Sequence, residues 1–315
     1  MTKKKVFIIG EINVDLIMTG ENVDPQWNQE KLVDSFDLVL GSSSCITAAG
    51  LAGLGMDVYF VGLVGDDVFG HFCVEELKKK GINTSYVKLV PHIQTGVTLS
   101  LSTSKDRALL TYMGTISELG PEDIPGEIYD LADHIHFGSY FLQTNMKKHW
   151  KDVLLQARSK NVTTSFDTGW DPNEEWDRDK ILSLMEDVTL FIPSEVEINN
   201  IFDLNDVSHV EGILPEKHEN VVVKLGAKGS MMIDELGKTT KASGYSITPV
   251  DTTGAGDSFN AGLIYGYLHG KKNTDLLEFA NACGAMATLR IGGASTVPSV
   301  ADVIAFQADN SIVNL

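Results

Sequence analysis

The segment Asp251-Thr252-Thr253-Gly254-Ala255-Gly256-Asp257-Ser258-Phe259 joins residues that can hold an anion to one that can move a proton. It follows the extended run Ser246 to Val250, and Phe259, Leu263, Tyr267 and Leu268 then recur at helical spacing. Strand, glycine turn and helix start therefore coincide. Gly254 and Gly256 let a ligand approach the backbone closely, and the free N–H groups of a helix's first turn attract negative charge. Asp257, in that same turn, is stabilised as a carboxylate by the helix dipole and sits where a phosphoryl acceptor would lie. Two readings stay open on these residues alone: a general base beside an anion hole, or an N-cap aspartate in an ordinary glycine turn.

Two other segments carry weaker signals. In Val221 to Ile233, two apolar runs flank Gly226-Ala227-Lys228-Gly229, a hairpin pattern whose glycines expose backbone amides. In Gly10-Glu11-Ile12-Asn13-Val14-Asp15, Asn13 and Asp15 stand two apart on an extended chain and face one side, where they could bind two hydroxyls of a polyol. A plain hairpin and a plain strand-end turn remain the competing explanations. The cysteines Cys45, Cys73 and Cys283 form no CxxC pair and have no histidine pair at zinc spacing, which fits a reducing cytosol.

The elements that must position these residues follow from hydrophobic spacing. Short apolar runs at Val6 to Ile9, Val58 to Val64, Ile135 to Phe137, Thr163 to Asp167, Leu190 to Ile192 and Val221 to Leu225 read as strands buried on both faces. Helical spacing at Ala48 to Leu54, Phe69 to Lys80 and Trp150 to Ser159 alternates with them, which predicts an α/β fold with a central, mostly parallel sheet flanked by helices. Residues 15–38 and 94–117 break the alternation. Thr95 to Ser102 alternates as a half-exposed strand, and the turn Ser104 to Arg107 would make a hairpin with Ala108 to Met113. The two insertions are expected to form a small β-sheet lid, with 1–14, 39–93 and 118–315 as the main domain that binds nucleotide and substrate.

Composition narrows the partners. Hydrophobic residues make up 43% and charged residues 22% of the 315, so the chain can bury a core, and disorder, collagen and coiled coil are excluded. A formal charge of −18 repels phosphate backbones and acidic bilayers, so neither nucleic acid nor membrane is an expected partner. Lys3-Lys4-Lys5 followed by Val6 to Ile9 imitates a signal peptide, but Gly10 and Glu11 end the apolar run. A cytoplasmic location is expected.

Taken together, the Asp251 to Phe259 stretch, Gly41 with Ala48, Ala49, Leu51, Ala52, Leu54 and Gly55, and Val61 to Asp67 with Gly70 resemble both signatures of the ribokinase-like (PfkB) family of carbohydrate kinases. The resemblance covers essentially the whole chain. It implies ATP-dependent phosphorylation of a hydroxyl on a sugar or sugar-derived molecule, with Mg2+ and, in many members, K+. Carried over residue by residue, it makes Asp257 the catalytic base and Gly254, Ala255 and Gly256 the anion-hole residues. Asn13, Asp15, Gly41 and Asp257 would hold the sugar. Ser194, Lys224, Gly226, Gly229 and Asn281 fall at nucleotide positions, Glu197 at the position that organises Mg2+ through water, and Asp251, Thr253 and Thr296 at the monovalent-cation positions. Family lids often pair, which implies a homodimer through the lid.

The sequence departs from the family pattern at Ser42 in place of a second Gly, Ser43 where ribokinases place Lys, Ile46 in place of Asn, and Ser194 in place of Asn. Ile46 cannot hydrogen-bond a sugar hydroxyl, which argues against ribose. Two alternatives follow: a nucleoside kinase in which Ile46 packs on a base, and a catalytically silent sugar- or nucleotide-binding protein.

Overall fold

A computed structural model describes residues 3–103, 107–290, 292 and 297–312. In chain order its strands are β1 (Lys5–Ile9), β2 (Asn13–Thr19), β3 (Ser35–Leu40), β4 (Asp57–Gly65), β5 (Asn83–Val90), β6 (Gly96–Ser102), β7 (Arg107–Tyr112), β8 (His134–Phe137), β9 (Thr163–Phe166), β10 (Leu190–Phe191), β11 (Asn220–Lys224), β12 (Gly229–Ile233) and β13 (Thr239–Ser243). The helices are α1 (Ser43–Gly53), α2 (Val68–Lys79), α3 (Ile128–Leu131), α4 (Trp150–Ser159), α5 (Arg178–Met185), α6 (Glu195–Phe202), α7 (Ala255–Leu268), α8 (Asn273–Ala287) and α9 (Val300–Asp309).

The main sheet runs β13-β12-β11-β10-β9-β8-β1-β4-β5, parallel from β5 to β11 and antiparallel at β12 and β13. Its central strands are buried on both faces: Val6 to Ile9, the apolar run of β1, have no exposed surface, and β8 is wholly buried although two of its four residues are histidines. From β1 the chain winds one way to β4 and β5, and later the other way from β8 to β11. The order therefore reverses between β1 and β8, the place where open α/β sheets form a binding crevice at the carboxyl ends of their strands.

Residues 246–250, expected to be extended, enter no named strand. The expected hairpin is present as β6 paired antiparallel with β7, although Ser104 to Asp106 of its turn lie outside the described residues. These two strands join β2 and β3 in a separate four-stranded sheet, ordered β3-β2-β6-β7. Alternation sorts this sheet into two unlike faces. Val14, Leu16 and Met18 align with Leu40, Leu38 and Phe36 and, across β6, with Tyr112, Leu110 and Ala108; Asp15 aligns with Thr98 and Thr111 on the other face, which also carries Arg107. Among the described residues, no helix is long and apolar enough to cross a membrane.

Beneath the crevice, β8 buries His134 and His136 completely. His134 bonds Thr163 Oγ1 at 2.8 Å and Ser165 Oγ at 2.7 Å, and His136 Nδ1 bonds the same Ser165 oxygen at 2.7 Å. Burial drives His134 down to about 3, helped by His136, and drives His136 down to about 4 although the nearby Asp167 charge opposes it. Both rings are thus neutral in the folded protein. An unfolded histidine titrates near 6.5, so their stabilising contribution is complete above about pH 6.5 and is lost as pH falls towards 4. In urea titrations, wild type is expected to lose more stability than His136→Gln between pH 6.5 and 4; equal slopes would show that the ring is charged in the fold.

Candidate active site

The glycine turn is held from behind by Asp251. Its Oδ1 accepts from Thr253 N at 2.9 Å and Thr253 Oγ1 at 2.6 Å, and its Oδ2 accepts from Gly292 N at 2.9 Å. Gly254 caps α7 at φ 73°, a left-handed conformation that a side chain would strain. Ala255 N turns back to Thr252 O at 3.3 Å, whereas the amides of Gly256 and Asp257 keep the free first-turn positions. Thr296 lies outside the described residues.

Asp257 stands in this first turn, and Ser43 Oγ, from the start of α1, donates to its Oδ1. Burial pushes Asp257 up to about 7; the Ser43 hydrogen bond and Lys224 pull it down, and the carboxylates of Asp167 and Glu11 push it up. A carboxyl held near neutrality can accept a proton as an acceptor hydroxyl reacts and release it afterwards.

Beside the turn, Lys224 at the end of β11 meets Asp167 at the end of β9, Nζ to Oδ2 at 2.5 Å. Asn260, one turn along α7 from Asp257, donates to the same oxygen at 2.6 Å. A Cβ added to Gly256 would lie 3.6 Å from the ammonium, so the cation flanks the open amides. Burial alone would raise Asp167 and lower Lys224; their mutual attraction prevails and moves each the other way, keeping both charged.

Glu197 and Ser194 form a capping box on α6: Ser194 N donates to Glu197 Oε2 at 2.7 Å, and Glu197 N donates to Ser194 Oγ at 3.2 Å. Ser194 therefore spends its oxygen on the helix. Burial raises the Glu197 carboxyl, with Lys224 opposing. Among the described residues no cluster of three metal-ligating side chains exists. A single buried carboxylate such as Glu197 suits Mg2+, which keeps most of its waters, and does not suit an all-protein metal cage.

Three other residues singled out in the sequence, Asn13, Asp15 and Gly41, gather beyond the carboxyl end of β1. Asn13 Nδ2 donates to Asp15 Oδ1 at 2.9 Å, and a Cβ on Gly41 would fall 2.1 Å from that oxygen, so only glycine leaves this carboxylate its place. Burial raises Asp15 to about 6, against the Asn13 bond and the Arg107 charge. Arg107, on the polar face of the second sheet, donates to Thr253 Oγ1 and so touches the glycine turn. Glu11, 4% exposed, accepts from Ser44 N at 3.2 Å, Ser44 Oγ at 2.6 Å and Ser139 Oγ at 2.8 Å, which bridges the ends of β1 and β8.

Gly226 (φ 60°) and Gly229 (φ 105°) both take positive φ in the turn that joins β11 to β12. Gly229 leaves no room for a Cβ, which would lie 2.1 Å from Ala242 O, and Asn281 donates to Ala242 O and Ser243 O at 3.2 Å each. Asn281 thus pins α8 to β13. Ile46 is 6% exposed and packs in the core, so it offers a ligand little surface. Sequence reasoning assigned no role to Asp167, Asn260, Glu11, Ser139 or Arg107; the one available signal was a charge, Asp167, closing an apolar strand.

The strand order, the crevice at its reversal and the separate small sheet define a ribokinase-like α/β fold. Residues 3–300 match the profile of the pfkB family carbohydrate kinases, and the chain belongs to that family. It is 30% identical over 306 residues to the ATP-dependent ribose-1-phosphate kinase of Halopiger xanaduensis, covering 97% of this chain and 98% of that one. Arabidopsis thaliana ribokinase complexed with ribose and ATP superposes with a TM-score of 0.83 at 21% identity, covering 97% of this chain and 99% of that one. An E. coli protein in complex with ATP and Mg2+ gives 0.84 at 23% identity, covering 96% and 98%.

Removing one member of a buried ion pair strands the other charge at a typical cost of about 3–5 kcal/mol. Asp167→Ala is expected to lose about that much in urea unfolding, and the double variant Asp167→Leu with Lys224→Met is expected to lose less. A double variant no more stable than Asp167→Ala would show that the stranded charge is not the cause.

Proposed function

We propose that this protein is an ATP-dependent phosphotransferase acting on a hydroxyl of a sugar or sugar-derived molecule. The observation that carries the reading is a buried carboxyl, Asp257, poised near neutrality in the first turn of α7 beside open amides and the Lys224 ammonium. As the acceptor oxygen attacks the γ-phosphorus, Asp257 takes the hydroxyl proton, the bond to the bridging oxygen breaks, and ADP leaves. Gly254 sets the turn, and the Gly256 amide with Lys224 offsets charge on the transferring group. Gly226, Gly229 and Asn281 lie on the nucleotide side, and Asn13, Asp15 and Gly41 on the acceptor side. Mg2+, organised through water by Glu197, would neutralise phosphate charge, and Asp251 and Thr253 would support a K+ ion behind the turn. Segments 15–38 and 94–117 act as a lid whose polar face covers the acceptor and excludes water.

A silent binding protein would have no use for a base held near pH 7. The nucleoside reading loses its main support with Ile46 in the core. Arg107 favours a second reading, in which the acceptor carries its own anion, as the named substrate of the Halopiger enzyme does. ADP release with Mg2+ and K+ against ribose, fructose, ribose 1-phosphate, sugar acids and nucleosides separates these readings; failure with every one would sink the kinase assignment.

Asp257→Asn is expected to lower turnover about 100- to 10,000-fold while ATP binding persists. Because the base must be ionised, kcat/KM should rise with pH through about 7. Retention of a tenth of the wild-type rate, or a flat profile, would exclude Asp257 as the base.

The apolar face of the second sheet, with Phe36, Leu110 and Tyr112 more than half exposed, pairs with its copy in a homodimer. Leu110→Asp is expected to convert a dimer to a monomer in sedimentation velocity; a wild-type monomer at tens of micromolar would rule this out.

A further inference from the structure

The three serines that begin α1 have separate duties. Ser42 occupies φ 75°, a costly conformation outside glycine, and is retained there by two bonds: its hydroxyl donates to Glu11 O at 2.7 Å and accepts from Cys45 N at 3.0 Å. Ser44 is locked to the Glu11 carboxylate by its amide and its hydroxyl at 3.2 and 2.6 Å, and so closely that a Cβ on Gly10 would fall 2.1 Å from Ser44 Oγ. Ser43, between two fixed neighbours, has no freedom to wander, and its hydroxyl meets Asp257 Oδ1. One turn on, Thr47 Oγ1 donates to Asp257 O at 3.3 Å, so the first two turns of α1 each hold Asp257 of α7 once.

We propose that Ser43 is a positioning residue for Asp257, its hydroxyl fixing carboxylate oxygen Oδ1 so that Oδ2 faces the acceptor hydroxyl. The proposal rests on the reading of Asp257 as general base. Four groups face that carboxyl from four elements: Ser43 on α1, Lys224 on β11, Asp167 after β9 and Glu11 after β1. The first two favour its ionised form and the carboxylates oppose it. Ser43 is the only neutral one of the four and can be altered without changing the charge of the crevice. In a buried, low-dielectric setting a hydroxyl donated to a carboxylate is among the stronger hydrogen bonds. Losing it disfavours the ionised form, so the titration must move upward.

The test uses the unliganded protein, labelled with 13C at the aspartate carboxyls, with the Asp257 resonance assigned by its loss in Asp257→Asn. Ser43→Ala is expected to raise the Asp257 midpoint by about one pH unit, equal to a tenfold smaller ionised fraction on the acid side. Ser43→Thr, which keeps the hydroxyl, should leave the midpoint near that of wild type. An unmoved midpoint in Ser43→Ala overturns the proposal, as does an equal shift in both variants, because the hydroxyl is then not the cause. Turnover surviving in Asp257→Asn would defeat the general-base reading instead, and the titration would still report on the contact.

Discussion

A single buried ion pair, Lys224 with Asp167, holds the candidate site in register. Neither charge could remain inside alone, since desolvation by itself would drive each towards neutrality. The pair fixes the end of β11 against the end of β9, and Asn260 extends the bond to α7. From this follow the place of the ammonium beside Gly256, the orientation of the first turn of α7, and the strength of the field felt by Asp257. The hydrogen bonds around Asp251, though numerous, shape only the loop; they do not settle where the loop sits relative to the sheet.

A second network, of hydroxyls and one carboxylate, ties the ends of β1 and β8 as the ion pair ties the ends of β9 and β11. Glu11 collects donors from Ser44 and Ser139 and so closes the crevice floor between β1 and β8. Its three donors are all uncharged, and its carboxyl adds to the negative field around Asp257. On the proposed reading, the acceptor would meet carboxyls at Glu11 and Asp15 and a guanidinium at Arg107, so an anionic group on it would be drawn towards Arg107 and away from the carboxyls, which orients it as well as binds it.

Most of the scaffold was legible because its signals are local. The buried strands β1 and β11 read as near-unbroken apolar runs and β8 and β9 as short stretches between helical patterns, α4 matched its spacing from Trp150 to Ser159, and the turn at Asp257 announced itself by two glycines before a helical pattern. The partners that tune the site were not legible, because each reaches its contact across the chain. Asp167 lies 57 residues from Lys224 and 93 from Asn260, Arg107 lies 146 from Thr253, and Ser43 lies 214 from Asp257. No periodicity within a window of a dozen residues encodes such pairings. Ser42 and Ser43 were visible only as departures from a pattern; their duties required coordinates. Ile46 and Ser194 show the reverse case, where a departure at a ligand position resolves into core packing and helix capping.

The winding of the main sheet also imposes an order on biosynthesis. Strands β8 to β11 each pair with the next strand in sequence, so that half can assemble as it is made, by short loop closures. The other half waits: α1, complete within the first 53 residues, can hold Glu11 early, but its contacts with Asp257 form only when α7 emerges some 200 residues later. A nascent or truncated chain can therefore carry a well-formed half of the main sheet before the first turn of α7, with Asp257 in it, exists. The candidate site closes only once α7 has docked.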